Sequence, residues 1–109
     1  MAIKANIVID QGSTFSTELN LTDENGDALI LTGYTCESQM RKHFTSSNAV
    51  SFTTEITPST GVITLSLTSS QTENLVAGRY VYDVELTDSA NSVSRIVEGI
   101  VTVTPNVTR

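Results

Sequence analysis

The sequence predicts an all-β sandwich in a single domain spanning residues 1–109. Three observations predict it. The chain carries 17 Thr, 11 Val and 8 Ile, residues branched at Cβ that are stiff at χ1 and suit a pleated surface. Apolar residues recur with a period of two in several short runs. Clusters of Gly, Pro, Asn and Asp separate those runs at regular spacing. Six Ala and a total of six Lys and Arg argue against a helical bundle.

Each element follows in order. Ile3, Ala5, Ile7 and Ile9 alternate with Lys4, Asn6 and Val8, predicting a first strand from Ile3 to Ile9 that Asp10-Gln11-Gly12-Ser13 breaks. Phe15, Thr17, Leu19 and Leu21 alternate with Ser16, Glu18, Asn20 and Thr22 in a second. Asp23-Glu24-Asn25-Gly26-Asp27 is a turn, because Asn-Gly tolerates positive φ. Ala28–Leu31 is a short apolar return.

A third strand runs from Thr35 to Lys42, with Cys36, Ser38 and Met40 on one face. His43–Asn48 is a polar loop. Val50, Phe52, Thr54 and Ile56 mark a fourth strand, and Pro58-Ser59-Thr60-Gly61 a tight turn. Ile63, Leu65 and Leu67 line a fifth. Ser70-Gln71-Thr72-Glu73 has the spacing of a capping box, which predicts one short helical turn with Leu75 plugging the core beneath it.

Tyr80, Tyr82, Val84 and Leu86 alternate with polar residues and Val81 in a sixth strand. Val93–Thr104 is a long last strand whose alternation slips at Glu98-Gly99, where a glycine marks a β-bulge. About seven strands, with the helical turn as a crossover between sheets, predict an immunoglobulin-like antiparallel β-sandwich. Leu19, Leu21, Ile63, Leu65, Tyr82, Val84 and Leu86 occupy the inward phase and are the expected core.

Twelve acidic residues against six basic ones give a net charge of −6. Nucleic-acid affinity comes largely from cationic neutralisation of phosphates, so no nucleic-acid partner is expected, and an anionic membrane surface is disfavoured for the same reason. No run approaches the roughly 20 apolar residues of a membrane helix. The single cysteine, Cys36, excludes an intrachain disulfide. The segment Met1–Asn6 lacks the apolar stretch of a signal peptide, which points to synthesis in a cytoplasm.

The residues needed for catalysis do not assemble. His43 is the one histidine, and a catalytic imidazole needs an orienting partner and a nucleophile to serve. Cys36 shares the inward phase with Met40, the usual place of a free cysteine acting as a small hydrophobe. One His and one Cys cannot close a structural zinc site. The Asp23–Asp27 turn fails the spacing of a calcium loop, because position twelve is Tyr34 rather than Glu. No enzyme activity, cofactor or metal is therefore expected. Tyr34, Tyr80 and Tyr82 offer a sugar-binding platform, but the phase of Tyr80 and Tyr82 assigns them to the core.

Two segments carry a resemblance. One is Ile9-Asp10-Gln11-Gly12-Ser13-Thr14-Phe15 with Leu31-Thr32-Gly33-Tyr34-Thr35. The other is Ala77-Gly78-Arg79-Tyr80-Val81-Tyr82-Asp83-Val84-Glu85-Leu86, continuing to Glu98-Gly99 and Val101–Pro105. Together they resemble a family of small β-sandwich proteins of tailed bacteriophages. The resemblance implies a virion component of tail, baseplate or head exterior, made in the host cytoplasm. It implies a non-enzymatic structural or adaptor role, with other virion proteins as partners. A receptor- or carbohydrate-binding module of the adsorption apparatus is the rival reading, for which Phe44 is the one loop aromatic.

Assembly leaves a trace in the apolar pattern. A half-buried strand should keep one face polar. Val8 and Ile9 break that rule in the first strand, and Ile96, Val97, Ile100 and Val101 break it in the last. Ile3, Val8, Ile96 and Ile100 are the expected interface residues of a homo-oligomer or multi-copy assembly.

Overall fold

A computed structural model describes residues 3–22 and 25–107. Its strands are β1 (Ile3–Lys4), β2 (Ile7–Asp10), β3 (Phe15–Asn20), β4 (Thr35–Arg41), β5 (Val50–Ser51), β6 (Thr53–Thr57), β7 (Val62–Leu67), β8 (Gly78–Thr87) and β9 (Val93–Thr104), with α1 (Ser69–Glu73) between β7 and β8. Two sheets pack face to face as an all-β sandwich. The larger runs β1-β9-β8-β4-β5, with β2 also on β9; the smaller runs β3-β7-β6.

The connectivity is immunoglobulin-like. β3, β7 and β6 take the places of strands B, E and D, and β4, β8 and β9 those of C, F and G. A second mark of that fold lies at the crossover. The Tyr80 hydroxyl, near the start of β8, donates to the Val76 carbonyl at 2.6 Å, the corner tyrosine that ties strand F to the chain just upstream.

The sandwich is not wholly antiparallel. β1 and β2 run parallel to β9, Ile3 opposite Val97 and Ile7 opposite Val101. The turn after β2, with Gly12 at φ 81°, carries the chain to the other sheet, so β2 meets β9 rather than pairing with β3 as a hairpin. The expected first strand is also interrupted. Ala5 and Asn6 leave the ladder, although the register continues without a slip on either side.

The expected fourth strand is two. β5 pairs with β4 in the large sheet, and β6 pairs with β7 in the small one. Phe52 sits at the switch, its N–H donating to the Ser38 carbonyl at 3.0 Å. Its buried ring packs edge-on to Tyr82 and tilted to Phe15. The alternation through Val50–Ile56 is continuous, so periodicity gives no sign of the change of sheet.

The bulge lies two residues before the expected place. Val84 pairs with Val97 but Glu85 pairs with Arg95, so Ile96 is the extra residue. The extra residue flips the inward phase to Val97, Val101 and Val103, all buried, while Ile96 packs against the core edge. The helical cap is also earlier than Ser70–Glu73. Thr68 caps α1 with a hydroxyl that accepts from the Gln71 N–H, and the Gln71 side chain accepts from the Thr68 N–H.

The core forms where inward phases meet. Ile63, Leu65 and Leu67 of β7 face Met40, Tyr82, Val84, Leu86, Val97, Val101 and Val103 of the large sheet, with Ile7 and Ile9 of β2 closing one side. Leu75 plugs the crossover beneath α1 and is buried. Of the expected core, Leu21, Ile63, Leu65, Tyr82, Val84 and Leu86 are buried, whereas Leu19 on β3 is half-buried. Asp23 and Glu24 of the expected turn lie outside the described residues.

Candidate interaction surface

The outer face of the large sheet is built by the outward phases of β9, β8 and β4. Register fixes its rows. Lys4, Glu98, Asp83 and Gln39 form one row. Arg95, Glu85 and Glu37 form the row on one side. Ile100, Val81 and Arg41 form the row on the other, beyond which lie Val8, Thr102 and Arg79. One half of the face is therefore charged and the other is apolar with two arginines.

The charged half is only partly balanced. Asp83 and Glu98 stand directly opposite each other, a destabilising cross-strand pairing. Arg95 relieves it, with Nε 3.4 Å from Asp83 and Nη1 3.3 Å from Glu98. These side chains are substantially exposed, so the pairs are worth little for stability. Glu37 and Glu85 are also directly opposite.

Phe44 stands over this face from the β4–β5 loop. The Arg41 Nη1 donates to the Ser46 carbonyl at 2.5 Å, and the His43 N–H donates to the Ser46 hydroxyl at 3.0 Å. These bonds shape the loop, and Phe44 projects from it with 84% of its surface exposed. An open groove of about 430 Å³ lies between Phe44, Val81, Ile100, Asn6 and Lys4. A second groove of about 300 Å³ lies between Phe44, Gln39, Arg41, Asp83, Glu85 and Arg95.

Three of the four expected interface residues are open: Ile3 is 59% exposed, Val8 64% and Ile100 39%. Val8 and Ile100 are diagonal neighbours on the outer face. Ile96 differs, because the bulge turns it toward the core. Val81 is not among the expected set, although an apolar residue in the otherwise polar phase of β8 is the signal that marks it.

The reactive groups are placed elsewhere. His43 is exposed in the loop. Cys36 is half-buried, and burial, with a smaller push from Glu37, raises its thiol to about 11. It therefore keeps its proton at neutral pH and is a poor nucleophile. The Tyr82 hydroxyl points out of the core to donate to the Ala5 carbonyl, and Lys42 lies 5.0 Å from the centre of the Tyr80 ring. Among the described residues no three His, Cys, Asp or Glu side chains gather as a metal site, and no helix is long and apolar enough to cross a membrane. No protein-family model matches the chain, and a search of curated proteins returns no match.

Proposed function

We propose that the chain is a non-enzymatic structural or adaptor component of a bacteriophage particle, part of a tail, baseplate or capsid exterior, that works through protein–protein contacts. The observation that carries the reading is the apolar patch of exposed Val8 and Ile100 with half-buried Val81, beside Phe44, on a sheet face that a solitary sandwich keeps polar. The likeness of the Ile9–Phe15 and Ala77–Leu86 segments to phage β-sandwich proteins supplies the setting. A rigid sandwich whose exposed face is part apolar and part charged suits docking to a neighbour. Mass spectrometry of purified particles tests it: the chain is expected in the virion at more than one copy, and its absence overturns the reading.

A second reading is favoured by one feature. Phe44 flanks a groove lined by Gln39, Arg41, Asp83, Glu85 and Arg95, an exposed ring beside hydrogen-bonding groups, as a sugar-binding surface requires. Glycan-array binding that Phe44→Ala removes would favour receptor recognition over docking; signals at the level of a blank would end it.

A further inference from the structure

The sheet edges are not equally protected. A strand edge presents unpaired N–H and C=O groups and invites pairing unless it is short, charged, bent or covered. The β1/β2 edge of the large sheet is broken at Ala5–Asn6 and carries Lys4 and Asp10. The β5 edge is two residues long. The β6 edge is sealed against β4, where the Thr54 hydroxyl donates to the Cys36 carbonyl at 3.0 Å, and Pro58 follows it.

β3 has only one of these devices, the single charge of Glu18 on its outer phase. It is six residues of regular strand with no Pro, Gly or Lys, and among the described residues it pairs with β7 alone. Its inward residues Phe15, Thr17 and Leu19 are only half-buried, while their partners Leu67, Leu65 and Ile63 on β7 are at most 2% exposed. The inner face of β3 thus lacks a neighbour on its open side. The Leu21 N–H donates to the Gly61 carbonyl at 2.9 Å, toward the β7 side. By alternation, Thr17 and Leu19 also point their N–H groups at β7. Ser16, Glu18 and Asn20 then present N–H and C=O outward.

We propose that β3 is a self-association edge, pairing antiparallel with β3 of a second copy across a two-fold axis at Thr17. The sequence of the strand is complementary to itself in that register. Phe15 of each copy meets Leu19 of the other, and the two Thr17 side chains meet each other. All three pairs fall at non-hydrogen-bonded positions, where side chains approach most closely. Ser16 and Glu18 fall opposite each other at the hydrogen-bonded positions, exchanging N–H···O bonds in both directions, twice over by symmetry. The neighbouring register, with Glu18 on the axis, sets two carboxylates face to face and is disfavoured. The Thr17 register joins two three-stranded sheets into one and covers the half-exposed Phe15 and Leu19. It uses a surface separate from the Val8–Ile100 face and does not depend on the proposed function.

The test is sedimentation of the isolated full chain over a concentration series, with Glu18→Pro as the probe. Proline at Glu18 removes an outward N–H and leaves the β7 ladder intact, the placement an edge strand tolerates. A reversible dimer whose dissociation constant rises roughly tenfold or more in Glu18→Pro supports the proposal. A chain that is monomeric throughout, or a dimer indifferent to Glu18→Pro, overturns it. Thr17→Cys in a Cys36→Ser background reads the register without weakening the edge. Paired β3 strands place the two introduced sulfurs within disulfide reach, so mild oxidation yields a covalent dimer. Absence of that crosslink overturns the register.

Discussion

The Tyr82 hydroxyl donates to the Ala5 carbonyl oxygen, joining residues 77 positions apart in sequence. The bond passes over Gly99, the register partner of Tyr82 on β9. A Cβ at position 99 would stand 2.2 Å from the Ala5 oxygen, so only glycine admits that carbonyl. The Ala5 N–H donates to the Glu98 carbonyl at 2.9 Å, and the Ile100 N–H donates to the Asn6 side chain at 3.1 Å. These bonds satisfy both backbone groups of Ala5 and the Ile100 N–H at the break between β1 and β2, and the glycine in β9 marks a close backbone approach rather than the bulge.

Gly99→Ala is expected to loosen β2 from β9. The obstacle is a backbone carbonyl, which cannot rotate away as a side-chain tip would. A cost of about 1–3 kcal/mol follows from overpacking, with faster amide exchange over Ile7–Asp10. Tyr82→Phe keeps the packing and removes the bond, at roughly 1–3 kcal/mol because a partly buried carbonyl loses its donor. Denaturation midpoints equal to wild type would show that the Ala5 approach contributes nothing.

Alkaline pH is expected to destabilise the chain in two overlapping steps. Burial raises the Cys36 thiol from 9.0 to about 11 and the Tyr82 hydroxyl from 10.0 to about 12. The folded chain therefore holds both protons more tightly than the unfolded chain. Below pH 9 both are bound in either state and stability is complete; it then falls as pH rises through 9.0–11 for Cys36 and 10.0–12 for Tyr82. Urea midpoints measured from neutral pH to pH 11 should decline. Cys36→Ala should flatten the earlier part of the decline and Tyr82→Phe the later part.

Much of this fold is legible in the sequence because period-two alternation reports directly which side chains face inward. That is why Ile63, Leu65, Tyr82, Val84 and Leu86 are readable as core. Alternation does not report which strand lies beside which. The change of sheet at Phe52 and the parallel pairing of β2 leave the pattern of their strands unbroken, and so are invisible in it. The Thr68–Gln71 cap is hidden behind the competing Ser70–Glu73 spacing. The same limit governs the surface. Val8 and Ile100 break a polar phase and can be seen, whereas the open β3 edge has a normal pattern and emerges only once its neighbours are known.

The Tyr80 hydroxyl bond to Val76 should stiffen the crossover more than the sheet. Tyr80→Phe removes a 2.6 Å bond at an exposed site, worth about 0.5–1.5 kcal/mol. Amide exchange should quicken over residues 74–79 and stay unchanged in β7. Uniform quickening across the molecule would mean that the corner is not a local tie.

The core prediction is larger. Leu65 is fully buried at the centre of β7, between Thr17 on β3 and Thr54 on β6. Leu65→Ala loses transfer free energy and leaves a cavity that flanking strands cannot close, at roughly 2–5 kcal/mol. An unchanged denaturation midpoint would contradict the packing of the two sheets.

Ile100→Lys separates core from docking surface. Ile100 lies in the outward phase of β9, beside Val81 and diagonal to Val8, and is 39% exposed. A lysine there can lay its methylenes along Val81 and keep its ammonium in water, so stability should change by no more than about 0.5 kcal/mol. The same charge placed against an apolar partner must be desolvated, so incorporation into particles should fall sharply. Urea denaturation of the isolated protein and mass spectrometry of particles from a phage carrying the variant read the two effects apart. Loss of stability would place Ile100 in the core. Normal stability with normal incorporation would show that the Val8–Ile100 face is not where the chain docks.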